Sequence, residues 1–103
     1  MKTFLRQTYR LSWPNFWYGN GYATIPKGHR LHWVSYDEIS VDVHWWLTFS
    51  ELAKKCSWLP NNFNDDDWVV GFDTCHFWDD KIECDKEYCE EEIKKMEKQL
   101  MKY

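Results

Sequence analysis

The chain has 103 residues and a formal net charge of −4, and eight Trp, six Tyr and six Phe raise its aromatic share to 19%. That length suits one domain around a single core, and because each ring buries roughly 150–250 Å², few residues can fill that core and some rings are left at the surface, where recognition proteins use them. The acids gather at Asp65-Asp66-Asp67, Asp79-Asp80 and Glu87 to Glu92, which excludes the basic stripe that direct nucleic-acid binding needs and leaves a solvated face or an interface for a basic partner.

Residues 1–20 hold Phe4, Leu5, Tyr9, Leu11, Trp13, Phe16, Trp17 and Tyr18 without a steady period, broken at Pro14-Asn15 and Gly19-Asn20-Gly21. They predict a short strand or irregular arm near Thr3–Leu11, then a turn whose aromatics pack over the core. Tyr22 to Pro26 reads as a short strand stopped by Pro26 and Gly28. The connector His29-Arg30-Leu31-His32-Trp33 combines two imidazoles, a guanidinium and a large ring, a composition suited to holding an anion if it borders a pocket.

From Ile39 the period becomes two: Ile39, Val41, Val43 and Trp45 fall on one face, Ser40, Asp42, His44 and Trp46 on the other. This predicts one bent strand continuing through Leu47-Thr48-Phe49, followed by a short helical turn with Ser50 as N-cap. Pro60 to Asp67 is a polar loop. Trp68 to Asp73 is apolar on both sides up to Asp73, the pattern of a central strand. Gly71 inside it marks a bulge or the close approach of something large, for which an aromatic ring across the sheet would serve.

Cys89, Ile93, Met96, Leu100 and Tyr103 form an apolar stripe along a C-terminal helix over 85–103. Asp85 is its candidate N-cap, acids fill its first turns and lysines its last, and Glu90–Lys94 and Glu91–Lys95 are its candidate ion pairs. The stripe predicts packing on the sheet, and its near-heptad spacing also permits a homo-oligomer. The four cysteines, Cys56, Cys75, Cys84 and Cys89, lack zinc-ribbon or finger spacing. Without a secretory signal or membrane span they read as reduced cytosolic thiols.

The chemistry-bearing residues fall in two places. Asp42 and His44, two apart on a strand, project from one face about 7 Å apart, and Asp73 and His76 stand where the next strand ends. Were those strands neighbours, two carboxylates and two imidazoles would converge, able to bind a divalent zinc, manganese or iron or to supply a general base. The same groups serve equally as a purely structural network satisfying buried polar atoms. Cys75 and His76 are adjacent and face oppositely on a strand, so they make no nucleophile–base pair. No hydrolase, phosphate-loop, dinucleotide or calcium-loop motif occurs.

In order along the chain, Asn20-Gly21-Tyr22, Ile25-Pro26-Lys27-Gly28-His29, Tyr36-Asp37-Glu38-Ile39, Val41-Asp42-Val43-His44, Leu47-Thr48-Phe49-Ser50 and Val70-Gly71-Phe72-Asp73-Thr74 with His76 form a series. Over about residues 20–80 this series resembles a family of small proteins encoded by tailed bacteriophages and prophages. Two glycines tend to follow the histidine in that family, where Trp45 and Trp46 stand here. Glycines there would let a ligand approach the main chain, whereas two tryptophans would build an aromatic wall. The resemblance implies an accessory protein in the cytoplasm of an infected bacterium that counters host defence by blocking an immune protein or sequestering a nucleotide-like signal.

The expectation is therefore a single α+β domain: an N-terminal arm over 1–20, a core over 21–80 with an antiparallel or mixed sheet of four or five strands, and the C-terminal helix across one face. Its function is binding without a resident cofactor. In the sequestering version Trp45, Trp46 or Trp78 stacks on a base while His44, His76 and Arg30 meet anionic groups beside Asp42 and Asp73. In the inhibitor version the acids and exposed aromatics form a protein interface. The alternative is a small metal-dependent hydrolase using Asp42, His44, Asp73 and His76.

Overall fold

A computed structural model provides the structure, which describes residues 1–9, 18–43, 46–60, 62–73 and 86–103. Among the described residues four strands form one sheet: β1 (Thr3–Tyr9), β2 (Tyr18–Ile25), β3 (Phe49–Leu52) and β4 (Trp68–Asp73). Their order is β1-β2-β4-β3 with every pairing antiparallel. The helix α1 (Lys86–Leu100) lies across β2 and β1, so the fold is α+β as the patterning predicts. The N-terminal segment joins the sheet as a full edge strand.

Side-chain alternation gives the sheet two covered faces. On one, Ala23, Ile25, Val70 and Phe72 pack under Ile93, Met96 and Leu100 of α1, with Leu31, Ile39, Val43 and Leu47 closing the layer. On the other, Tyr22 and Val69 pack with Ala53 and Cys56, surrounded by Phe4, Phe49, Trp58 and Leu59. β4 is the central strand that its uninterrupted apolar run predicts, buried from Trp68 to Phe72.

Glycines at the middle of β2 and β4 set how these faces meet. Tyr22 pairs with Gly71 and Gly21 with Phe72, in adjacent rows. A Cβ on Gly71 would strike the Tyr22 ring and come within 2.6 Å of Gly21 O; a Cβ on Gly21 would come within 2.6 Å of both the Phe72 ring and Ile93 Cγ1. Each glycine thus leaves bare backbone for its partner's ring, on opposite faces. β4 carries no bulge at Gly71, since its pairing with β2 and β3 runs without a register shift; the close approach of a ring explains the residue.

The segment after Ile39 departs from expectation. Its described residues up to Thr48 are irregular rather than a strand. Ile39, Val43 and Leu47 are buried in the helix-side layer, so their apolar periodicity serves packing. Its backbone partner is a side chain: Gln99 Oε1 accepts from Asp42 N–H at 2.7 Å, and Gln99 Nε2 donates to Asp42 O at 2.8 Å. The helical turn expected after Ser50 is also displaced. Ser50 lies within β3, and the 3-10 turn Ala53–Lys55 that follows has no side-chain cap.

On α1, Cys89, Ile93, Met96 and Leu100 are buried, so the stripe expected to permit self-association is taken up by the sheet. Tyr103 lies past the helix and donates its hydroxyl to Ser40 O at 2.7 Å. Lysines pair mostly one turn back at i,i+3, Lys94 with Glu91 at 3.5 Å and Lys95 with Glu92 at 3.4 Å, rather than at the i,i+4 spacing expected. The expected N-cap Asp85 lies outside the described residues.

Candidate functional site

Two arrangements carry chemistry. The first is a polar row across the sheet, where Arg6 pairs with Asn20 and Asn20 with Asp73. Alternation puts this row on the same face as Tyr22, whose hydroxyl accepts from Asn20 Nδ2 at 3.0 Å. Thr48 joins β4 through its N–H to Gly71 O and donates its hydroxyl to Asp73 Oδ2 at 3.1 Å. Arg6 spreads its guanidinium over the Trp58 ring, 4.8 Å from the centroid. Burial raises the Tyr22 pKa against the opposing pull of its hydrogen bonds to Asn20 and Arg6, so the phenol remains neutral at physiological pH. Asn20 Oδ1 is buried and has no hydrogen-bond partner among the described residues. Its one hydroxyl–carboxylate pair among the described residues is Thr48 with Asp73, and the row lines the side of the sheet away from α1.

The second arrangement is the loop between β2 and the 3-10 turn at Tyr36–Glu38. Short backbone hydrogen bonds fold it tightly: His29 to Pro26, His32 to His29 and Val34 to Leu31. Leu31 N–H also donates to His29 Nδ1, and His32 Nε2–H donates to Asp66 O at 2.7 Å. This winding forces Trp33 into the left-handed region at φ 75°, where a bulky L-residue is disfavoured by roughly 1–2 kcal/mol. Trp33 is nevertheless 62% exposed. Its ring rests against Trp68 at 5.3 Å, and Trp68 is itself anchored by its indole N–H to Val34 O at 2.8 Å. The exposed Tyr36, Asp37 and Glu38 follow, with Asp65 and Asp66 on the adjoining loop. The result is a strained, backed aromatic side chain on a loop that carries Arg30, with acids following it in the chain and on the loop that His32 contacts.

The expected site residues are dispersed. Arg30 is exposed on the Trp33 loop. Asp42 is clasped to α1 through its backbone, its carboxylate free of the core and 4.0 Å from Lys95 Nζ. Asp73 faces the side of the sheet away from α1, so Asp42 and Asp73 do not converge. Trp46 is half exposed. His44, Trp45, His76 and Trp78 lie outside the described residues, and with them the imidazole half of the expected constellation. Among the described residues, no three His, Cys, Asp or Glu side chains are grouped to hold a metal, and no helix is long and apolar enough to cross a membrane.

Sequence reasoning singled out the composition of the Trp33 loop but not Trp33 itself. Its left-handed backbone has no signature in the sequence, because such positions ordinarily announce themselves with Gly or Asn. Asn20 beside glycines read only as a turn. No family model matches the chain, and neither does any curated protein or solved structure.

Proposed function

We propose that the protein is a non-enzymatic inhibitor that docks through Trp33 and its acidic surround onto a basic surface of a bacterial defence protein. The observation that carries this reading is Trp33 itself, exposed while held at positive φ. The ring packs on Trp68 with one side and leaves the rest to solvent, and backbone strain of this kind concentrates at ligand clamps and binding sites. Trp is the residue most enriched among interface anchors, and Asp37, Glu38, Asp65 and Asp66 supply charge that steers a basic partner. Trp33 projects from a turn, which suits a protein's pocket better than it suits enclosing a small nucleotide. The setting in an infected bacterium rests on the phage resemblance of residues 20–80.

The test is affinity capture from a lysate of the bacterial host, comparing the wild-type chain with Trp33→Ala. One bacterial protein is expected to be held by the wild type in stoichiometric amount, released by raised salt, and lost from the variant while its melting curve stays cooperative. Equal capture by both would overturn the reading. So would a nucleotide that raises the melting temperature while no protein is held; at 100 times its Kd such a ligand adds about 2.7 kcal/mol, the signature of signal sequestration.

A further inference from the structure

Three overlapping turns wind the chain from β2 to Trp33. Pro26 O accepts from His29 N–H at 3.1 Å, His29 O from His32 N–H at 3.0 Å, and Leu31 O from Val34 N–H at 3.0 Å. The first and third place Gly28 at φ 96° and Trp33 at φ 75° where a type II turn requires a positive φ. The two histidines hold this winding in opposite ways. His29 Nδ1 accepts the N–H of Leu31, two residues on, at 3.1 Å, the bond that an Asn or Asp side-chain oxygen makes in an Asx turn. His32 Nε2–H donates to Asp66 O at 2.7 Å and ties the loop to the one that leads into β4. Leu31 is buried, and among the described residues its N–H has no backbone acceptor. Its carbonyl closes the turn that carries Trp33, and Val34 O at the end of that turn receives the indole N–H of Trp68, on which Trp33 rests.

We propose that His29 makes the Trp33 loop a pH-sensitive device, which holds the ring in place while Nδ1 is bare and releases it when that nitrogen takes a proton. An imidazole accepts a hydrogen bond only through a bare ring nitrogen, and in the cation both nitrogens carry protons. A proton on Nδ1 therefore sets two donors face to face and leaves the Leu31 N–H without an acceptor. The turn that carries Trp33 begins at Leu31, so its left-handed backbone loses the anchor on its N-terminal side. The same change spares His32, whose Nε2–H donates to Asp66 O in either charge state. The charged groups around His29 are Lys27 and Arg30 on its own loop, both exposed, and His32, with Asp66 beyond it. Among the described residues His29 takes part in no ion pair. The consequence for recognition rests on the reading of Trp33 as the docking anchor: the partner is held at neutral pH and released in acid. The turn itself needs no partner to be observed.

The test compares the full wild-type chain with His29→Asn, whose side-chain oxygen accepts at any pH, and with His29→Ala, which has no acceptor. Solvent exchange of the Leu31 amide, corrected for its intrinsic rate, is read by NMR at about pH 8 and about pH 5, the bounds between which histidine titrates. Protection in the wild type is expected to fall about fivefold in acid, corresponding to one hydrogen bond, and the Trp33 indole N–H resonance to move with it. His29→Asn is expected to hold both steady, and His29→Ala to show low protection at both pH values. Equal wild-type protection at the two pH values overturns the proposal, and so does a fall that His29→Asn shares. Affinity capture under the same conditions keeps this device apart from the docking reading. Wild-type capture is expected to drop in acid about fivefold relative to His29→Asn; lost Leu31 protection with capture unchanged overturns the link to Trp33. Should neither chain capture a partner at neutral pH, the docking reading fails, while Leu31 exchange still decides the device.

Discussion

At the scale of single residues, backbone geometry decides more than side-chain chemistry. Trp33 and Gly71 are opposite cases, one a bulky residue where glycine fits best, the other a glycine where nothing larger fits. Trp33→Gly and Trp33→Ala both remove the ring, but only glycine relieves the left-handed backbone. Urea unfolding should therefore find the glycine variant more stable than the alanine variant by about 1 kcal/mol. Gly71→Ala should destabilise by about 1–3 kcal/mol through overpacking against Tyr22 and the Gly21 carbonyl, with a lowered urea midpoint and an unchanged slope. Cys56 is buried, donates its thiol to Leu52 O at 3.4 Å, and burial together with the Glu51 charge pushes its pKa from 9.0 up to about 11. The folded state therefore holds the thiol proton more tightly than the unfolded chain does. That contribution to stability is complete below pH 9 and is lost as the pH rises toward about 11. Melting temperature should fall across that window in the wild type and fall less in Cys56→Ala, and in the folded protein Cys56 should resist alkylation at neutral pH.

At the scale of elements, legibility follows whether a pattern has one physical cause or two. β4 and α1 were readable because a continuous apolar run and a stripe at helical spacing each have a single common origin, central pairing and one buried face. Residues 39–43 depart from the strand that their pattern predicts because alternation of β-branched residues suits a strand and suits equally a chain laid under a helix with every few side chains buried. What separates those outcomes is the partner of the backbone, and here that partner is Gln99, distant in sequence and unremarkable in it. Gln99→Ala should leave the Asp42 amide and carbonyl to water. It should cost about 1 kcal/mol and accelerate amide exchange at Asp42 and its neighbours, while exchange in β2 and β4 stays slow. The dispersal of Asp42 and Asp73 has the same origin: their convergence was inferred from two strands lying side by side, and only one of the two is a strand.

At the scale of the whole molecule, the sheet with its helix and the aromatic anchor on a separate loop divide the described residues into two parts. Mutations in these parts should add. Gly71→Ala combined with Trp33→Ala is expected to lower stability by the sum of the single variants, measured by urea unfolding, because the two sites are far apart in the chain and lie in different elements. The sheet that joins those parts has its own safeguard. β2 and β4 are separated by much of the chain and must find each other across it. Only one alignment gives both Tyr22 and Phe72 a glycine opposite; displaced by two residues either way, Tyr22 meets Val69 or Asp73. Ile93 needs that same bare backbone at Gly21. The helix can therefore seat only on a correctly aligned sheet, so its docking proofreads strand pairing, and a chain that pairs out of step is left without its lid and free to separate and try again.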